Sequence, residues 1–313
     1  MRVLTAKIRC SRRSGWILAA TVQLLLALVT PARADDQAAD DKDAAGNRHL
    51  TSLGVRYETR LLREPRPNRV HILRVDLSRG KVKPVVVIGA DPDGDGPAET
   101  SLTSPLTLAK HPGVLAFVNS NPWDSFPDEN GNRNRRWFAG QHVDISGLAA
   151  TGGDLRSPPQ ANDTSVWITR SGKVKLGKVT DAEDKEAAVL EGMAGFQLIV
   201  KEGKVVPGPG GALHPRTSIG VDREGSVMWL VVVDGRQRRF SEGMNVHELG
   251  MLMRDLGCWR ATNMDGGGSS IMGMRGPDGK LRSVNSPSDK FLGVTRIRPL
   301  PMVLTIRKRE DAK

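Results

Sequence analysis

The chain is 313 residues long, carries a formal net charge of +11 and holds only two cysteines. Residues 1–34 contain six of its 46 basic residues and none of its 35 acidic ones, which leaves 40 against 35, or +5, over the remaining 279. So mild a balance does not call for a nucleic-acid partner. One remaining cysteine, Cys258, excludes an intramolecular disulfide, so the body must rest on an apolar core, which a chain of this size can build.

Arg2, Lys7, Arg9, Arg12 and Arg13 precede an apolar run over residues 16–30 and an Ala32-Arg33-Ala34 motif, the pattern of a secretory signal peptide. The run is short, and Thr21 and Gln23 interrupt it, so no stable membrane insertion is expected. The reading is an exported protein, periplasmic or secreted, cleaved near Ala34. Residues 35–49 are polar, acidic and Ala-rich, a disordered tail. Residues 50–308 show neither repeat nor linker and read as a single domain.

Residues 70–77 alternate with one slip, and residues 82–88 are a β-branched run, both strand signals. Asp91-Pro92-Asp93-Gly94-Asp95-Gly96 matches the first half of a calcium loop, but Leu102 stands where a bidentate Glu is needed. An acidic surface loop fits better, with an irregular calcium site as the alternative; no other cofactor is implied. Ser104-Pro105 opens a short helix to about residue 110, and residues 114–118 form an apolar strand that runs into Asn119. Five of the 13 aromatic residues then fall close together: Phe117, Trp123, Phe126, Trp137 and Phe138. Rings on so polar a loop suit stacking on the apolar face of a sugar; cover for the core is the competing reading. Two hairpins follow, residues 166–176 turning at Ser171-Gly172 and residues 196–206 turning at Glu202-Gly203.

Residues 217–221 and 227–233 pair across Asp222-Arg223-Glu224-Gly225, and the second strand, apolar on both faces, ends at Asp234-Gly235-Arg236. Asn245 and Glu248 make a capping box, and Leu249, Leu252, Met253 and Leu256 form the apolar stripe of a helix that Gly257 stops. A strand over residues 258–264 then reaches Asp265-Gly266-Gly267-Gly268-Ser269. Strand, helix, strand predicts a parallel pair joined by a right-handed crossover, with both C-terminal ends on the edge where ligands bind. The expected fold is therefore α+β: a strand-rich mixed sheet, a β-α-β crossover carrying the site, and few short helices. Three glycines let the backbone approach a ligand and offer an amide nest to an anion; taken alone, the loop reads equally as a tight turn capped by Asp265.

His214-Pro215-Arg216-Thr217-Ser218-Ile219-Gly220, Val233-Asp234-Gly235-Arg236, the Gly243-Met244 segment leading to Leu249, Asn263 to Ser270, and Asn285-Ser286-Pro287-Ser288-Asp289 come in this order. Together they resemble the motifs of the phosphodiester glycosidase family. Ala116-Phe117-Val118-Asn119 is similar to the family's Asn at the end of a buried strand. Ser120-Asn121-Pro122-Trp123 departs from the family's small residues and Phe pair, a departure that bears on sugar specificity more than on reaction. The resemblance implies hydrolysis of a sugar-1-phosphate diester to free sugar and a phosphomonoester, with a phosphorylated glycan or sugar-phosphate diester as partner.

On that reading Asp265 is the first choice for nucleophile, general base or oxocarbenium stabiliser, with Asp234 as its partner. Arg216 and Arg236 supply charge-assisted contacts to phosphate. The amides of Gly266, Gly267 and Gly268 bind further oxygens. Ser269, Asn263, Asn119, His214 and Trp123 complete the binding set, with Glu191 a reserve carboxylate. The six histidines lack metal spacing, and Met251 stands where a zincin would carry its second His. A carbohydrate or polyanion receptor without turnover, on the same fold, is the alternative function.

Overall fold

In the computed structural model, which describes residues 49–126, 130, 131, 133, 136–179 and 189–310, the strand Val227–Val233 sorts its side chains between two cores. Met228, Leu230 and Val232 join Leu73, Val75, Ile219 and Val221 in one; Trp229, Val231 and Val233 join Val70, Ile72, Leu249 and Met253 in the other. Successive strand side chains point to opposite faces, so a run apolar throughout marks a strand covered on both sides. The signal peptide and all but the last residue of the polar tail lie outside the described residues.

This strand is third in a seven-stranded sheet ordered Val55–Leu62, Asn68–Asp76, Val227–Val233, Arg216–Val221, Arg260–Asn263, Gln197–Lys201, Lys204–Val205. The first core is shared with two five-stranded sheets. One holds Val82–Ile88, Val114–Asn119 and Met302–Lys308; the other holds Thr164–Thr169 and Val189–Gly195. The helix Val246–Asp255 covers the second core with Leu249 and Met253. Its capping box forms as expected: Glu248 N donates to Asn245 Oδ1 at 2.9 Å and Asn245 N to Glu248 Oε2 at 3.1 Å.

The mixed sheet with a β-α-β crossover of paired neighbours does not form. Every pair in the seven-stranded sheet is antiparallel, and the protein is mostly β with short helices. Edge occupancy is the reason. Asp222 Oδ1 accepts Ser226 N at 2.7 Å and Val227 N at 3.0 Å, which closes a tight hairpin and puts Arg216–Val221 on one edge of Val227–Val233. Asn68–Asp76 takes the other edge. The chain returning from the helix therefore pairs with the outer edge of Arg216–Val221. Since Val227–Val233 and Arg260–Asn263 are each antiparallel to the strand between them, they run the same way. Asp234 and Asp265 still leave the sheet at one end.

A separate two-stranded ribbon, Lys290–Phe291 with Val294–Thr295, lies exposed at the surface. Its tip is Leu292-Gly293, both at positive φ, 49° and 80°. Such a turn favours Asn-Gly, and a leucine in the left-handed region costs about 1–3 kcal/mol.

Candidate active site

Asp265 leaves the Arg260–Asn263 strand held by its own backbone: its N–H donates to Ser120 O at 3.3 Å, and its carbonyl accepts Asn119 Nδ2 at 2.7 Å. Asn119 Oδ1 in turn accepts Thr217 Oγ1 at 2.7 Å and Ile271 N at 3.1 Å. The Asn119 side chain, expected to touch ligand, is instead buried and joins the segments under Asp265. The Asp265 carboxyl itself is half-buried and lines a cleft of about 510 Å³ together with Trp123, Trp137, Arg133 and Arg298. Burial pushes its pKa up to about 6; the Ser269 hydroxyl, the Arg298 charge and the Gly266 N–H, 2.8 Å from Oδ1, pull the other way.

Arg298 was not among the expected site residues. Asp289 fixes it by two contacts, 2.9 Å to Nε and 2.8 Å to a terminal nitrogen, and its other terminal nitrogen lies 3.4 Å from Ser269 Oγ. Its guanidinium stands 5.6 Å from the Trp137 ring centroid, and that of Arg296 4.6 Å from the same ring. The only forward signal for this group was Asp289 at the end of the Asn285–Asp289 motif. Of the five clustered aromatics, Trp123 and Trp137 reach the cleft, while Phe117 is buried in the core.

The glycines do something other than form an open nest. Gly266 N–H already serves Asp265, and Gly267 N–H donates to Pro215 O at 2.9 Å. Their value is close approach. A side chain on Gly267 would stand 3.1 Å from the Arg236 guanidinium, and one on Gly268 would overlap both Asp289 and Arg298. Arg236 and Arg298 thus press on the turn through its glycines.

Arg216 and Arg236 lie beside that turn, outside the wall of the Asp265 cleft. Arg216 donates to the carbonyls of Met244 (2.9 Å) and Ala212 (3.0 Å), and Arg236 lies 3.1 Å from His214 Nδ1. Burial and Arg236 lower the pKa of Arg216; burial and both arginines lower that of His214, favouring a neutral imidazole that accepts from Arg236. These partners are neutral, so the pair keeps its positive charge available to an anion.

Asp234 is not a second cleft carboxylate. It is 0% exposed; Oδ2 lies 3.2 Å from His71 Nε2, and Oδ1 accepts Asn285 Nδ2 at 3.0 Å and Ser286 N at 2.9 Å. His71 Nδ1 meets Tyr57 OH at 2.8 Å. Asp234 therefore holds the 285–289 loop, whose last residue holds Arg298. His71 had one signal in the sequence, a polar side chain within the apolar run at residues 70–73. Asn263 is buried, and its Oδ1 has no hydrogen-bond partner among the described residues. Glu191 accepts Val86 N at 2.8 Å and Gly152 N at 3.4 Å, a tie between sheets rather than a cleft group.

Among the described residues no three His, Cys, Asp or Glu side chains converge as a metal site. Asp91 spends Oδ1 on the amides of Asp93 and Gly94 and Oδ2 on Arg156 at 2.6 Å, which is the behaviour of a surface loop closing on itself.

A carboxylate of raised proton affinity, fixed cations and tryptophan walls thus meet at one end of an antiparallel sheet in a mostly β protein. Residues 130–307, more than half of the chain, match the family model for phosphodiester glycosidase, and the chain belongs to that family. Its fold is similar to the catalytic domain of zebrafish N-acetylglucosamine-1-phosphodiester alpha-N-acetylglucosaminidase auto-inhibited by its pro-peptide, at 20% identity over 82% of each chain and a TM-score of 0.57. A hypothetical protein from Synechocystis is similar at 13% identity, 82% of this chain, 62% of that one and a TM-score of 0.51. At such identities the likeness is one of fold. No curated protein matches the sequence significantly.

Proposed function

We propose that the protein hydrolyses the glycosidic bond of a sugar-1-phosphate diester, releasing free sugar and a phosphomonoester, and that it does so outside the cytoplasm, as its leader residues suggest. One observation carries the reaction: Asp265, with its raised pKa, shares a cleft with Arg298, Arg133 and two tryptophans. The sugar ring stacks on Trp123 or Trp137, and the phosphate meets Arg298, whose fork Asp289 already orients. A phosphate ester departs as a stabilised anion, so the fixed cations take over much of what a general acid does in an ordinary glycosidase. Asp265 serves as nucleophile, general base or oxocarbenium stabiliser. All three roles need the ionised carboxylate, so the rate rises with pH through about 6 and levels off above it; a general acid would show the opposite limb.

The test is release of reducing sugar and phosphomonoester, in equal amounts, from a synthetic sugar-1-phosphate diester. Binding without release would support the receptor reading instead. Gly268→Ala supplies a second check. The atoms nearest the added methyl are the ends of the Asp289 and Arg298 side chains, which can swing aside. Stability should change by less than about 1 kcal/mol, while kcat/KM falls by about 10- to 100-fold because Arg298 is displaced.

A further inference from the structure

The ribbon at residues 290–295 takes no part in that chemistry, yet it presents Phe291 at 62%, Leu292 at 88% and Val294 at 70% exposure. Single exposed apolar side chains are ordinary; three on one four-residue tip are not. Leu292 also holds a left-handed conformation that Asn or Gly would adopt more easily, and its side chain gains almost no burial in return. A strained, exposed leucine is better explained by a contact made outside the fold.

We infer that this tip docks the protein on an anionic lipid surface, with Phe291, Leu292 and Val294 seated among the headgroups. The flanking chemistry selects that occupant. Residues 290–296 contain Lys290 and Arg296 and no carboxylate, and the adjacent Asp289 is engaged by Arg298. Arg296 lies over Trp137, and the next residue, Phe138, is 51% exposed. An apolar tip flanked by Lys290 and Arg296, with Trp137 against Arg296, suits the interface of a bilayer, where rings sit at headgroup level and basic side chains meet lipid phosphates. A purely apolar protein groove would use the tip and leave the cations idle. No described helix is long and apolar enough to cross a membrane, and this contact is superficial. Both stems lead to the rim of the Asp265 cleft through Asp289 and Arg298, so docking would bring that rim to a lipid-attached phosphodiester.

The docking step stands apart from the hydrolysis reading and is tested without turnover, by co-sedimentation of the full chain with vesicles. Vesicles of phosphatidylcholine containing phosphatidylglycerol should bind the protein, and pure phosphatidylcholine should bind it more weakly. The triple variant Phe291→Ser, Leu292→Asn, Val294→Thr should lose about tenfold or more in vesicle affinity, with a thermal midpoint no lower than that of the wild type, since Leu292→Asn relieves the turn, and unchanged cleavage of a water-soluble diester. Leu292→Asn alone, which relieves the turn, should keep the ribbon and still weaken binding. Failure of the wild type to bind phosphatidylglycerol vesicles, equal binding to both vesicle types, or full binding by the triple variant would each overturn the inference. Vesicle binding by a chain that cleaves no diester would remove the hydrolysis reading and leave docking intact.

Discussion

Asp265→Asn is expected to fold normally and to lower kcat for sugar-1-phosphate diester cleavage by about a thousandfold or more. The two side chains match in shape, and an amide oxygen still accepts the Gly266 N–H that the carboxylate holds at 2.8 Å. What disappears is the charge and basicity next to the sugar. Substrate binding through Arg298 and the tryptophans should survive, so the loss falls on kcat more than on KM. Full activity in this variant would remove Asp265 from the mechanism.

The same substitution carries a stability signature of opposite sign. Burial raises the folded-state pKa of Asp265 from 3.8 to about 6. Between those values the folded protein binds more protons than the unfolded chain, so this group's contribution to stability falls as pH rises. At pH 4 the variant and the wild type should be nearly equal; above pH 7 the variant should be more stable by up to ~3 kcal/mol. Denaturant melts at the two pH values measure the difference. A catalytic carboxylate held against its solvation preference behaves in this way; a cap placed for stability would not.

The second large effect is expected at Asp234. Asp234→Ala should destabilise the protein by about 3 kcal/mol or more, since it leaves the Asn285 amide, the Ser286 N–H and His71 without their common buried partner. Against a typical domain stability of about 5–15 kcal/mol, that approaches unfolding. Asp234→Asn keeps an oxygen for the 285–286 loop and should cost less. It tests the positioning role: if the loop sets Arg298 through Asp289, kcat/KM should fall with a pH profile like that of the wild type, because Asp265 still titrates. A changed pH limb in Asp234→Asn would mean that Asp234 shares the chemistry directly.

Local signals carried a large part of the fold. The capping box of Asn245 and Glu248 involves side chains three residues apart, and the turn that Asp222 closes spans a handful. Such interactions are decided by neighbours in the chain, and the sequence by itself determined them, along with the strands at Val82–Ile88, Val114–Asn119 and Val227–Val233. It also determined the family, because several glycine and carboxylate motifs occur in one order, and it singled out Asp265 and Trp123, which share the cleft.

Only the tertiary structure decided which strand edge stood free when the chain returned from its helix, and hence that the sheet is antiparallel. It also decided the fate of the polar groups. Asp234 meets His71 across 163 residues, and Asn119 meets the Asp265 carbonyl across 146. Whether a carboxylate faces solvent or three buried donors depends on such distant partners, and nothing in its immediate neighbours records the outcome. Arg298 joined the site for the same reason: its place is set by Asp289 and by the absent side chain of Gly268. The carboxylate of Asp265 and the glycines after it were written locally, while their surroundings, and with them the raised pKa, were assembled by strands that meet only once the chain has folded.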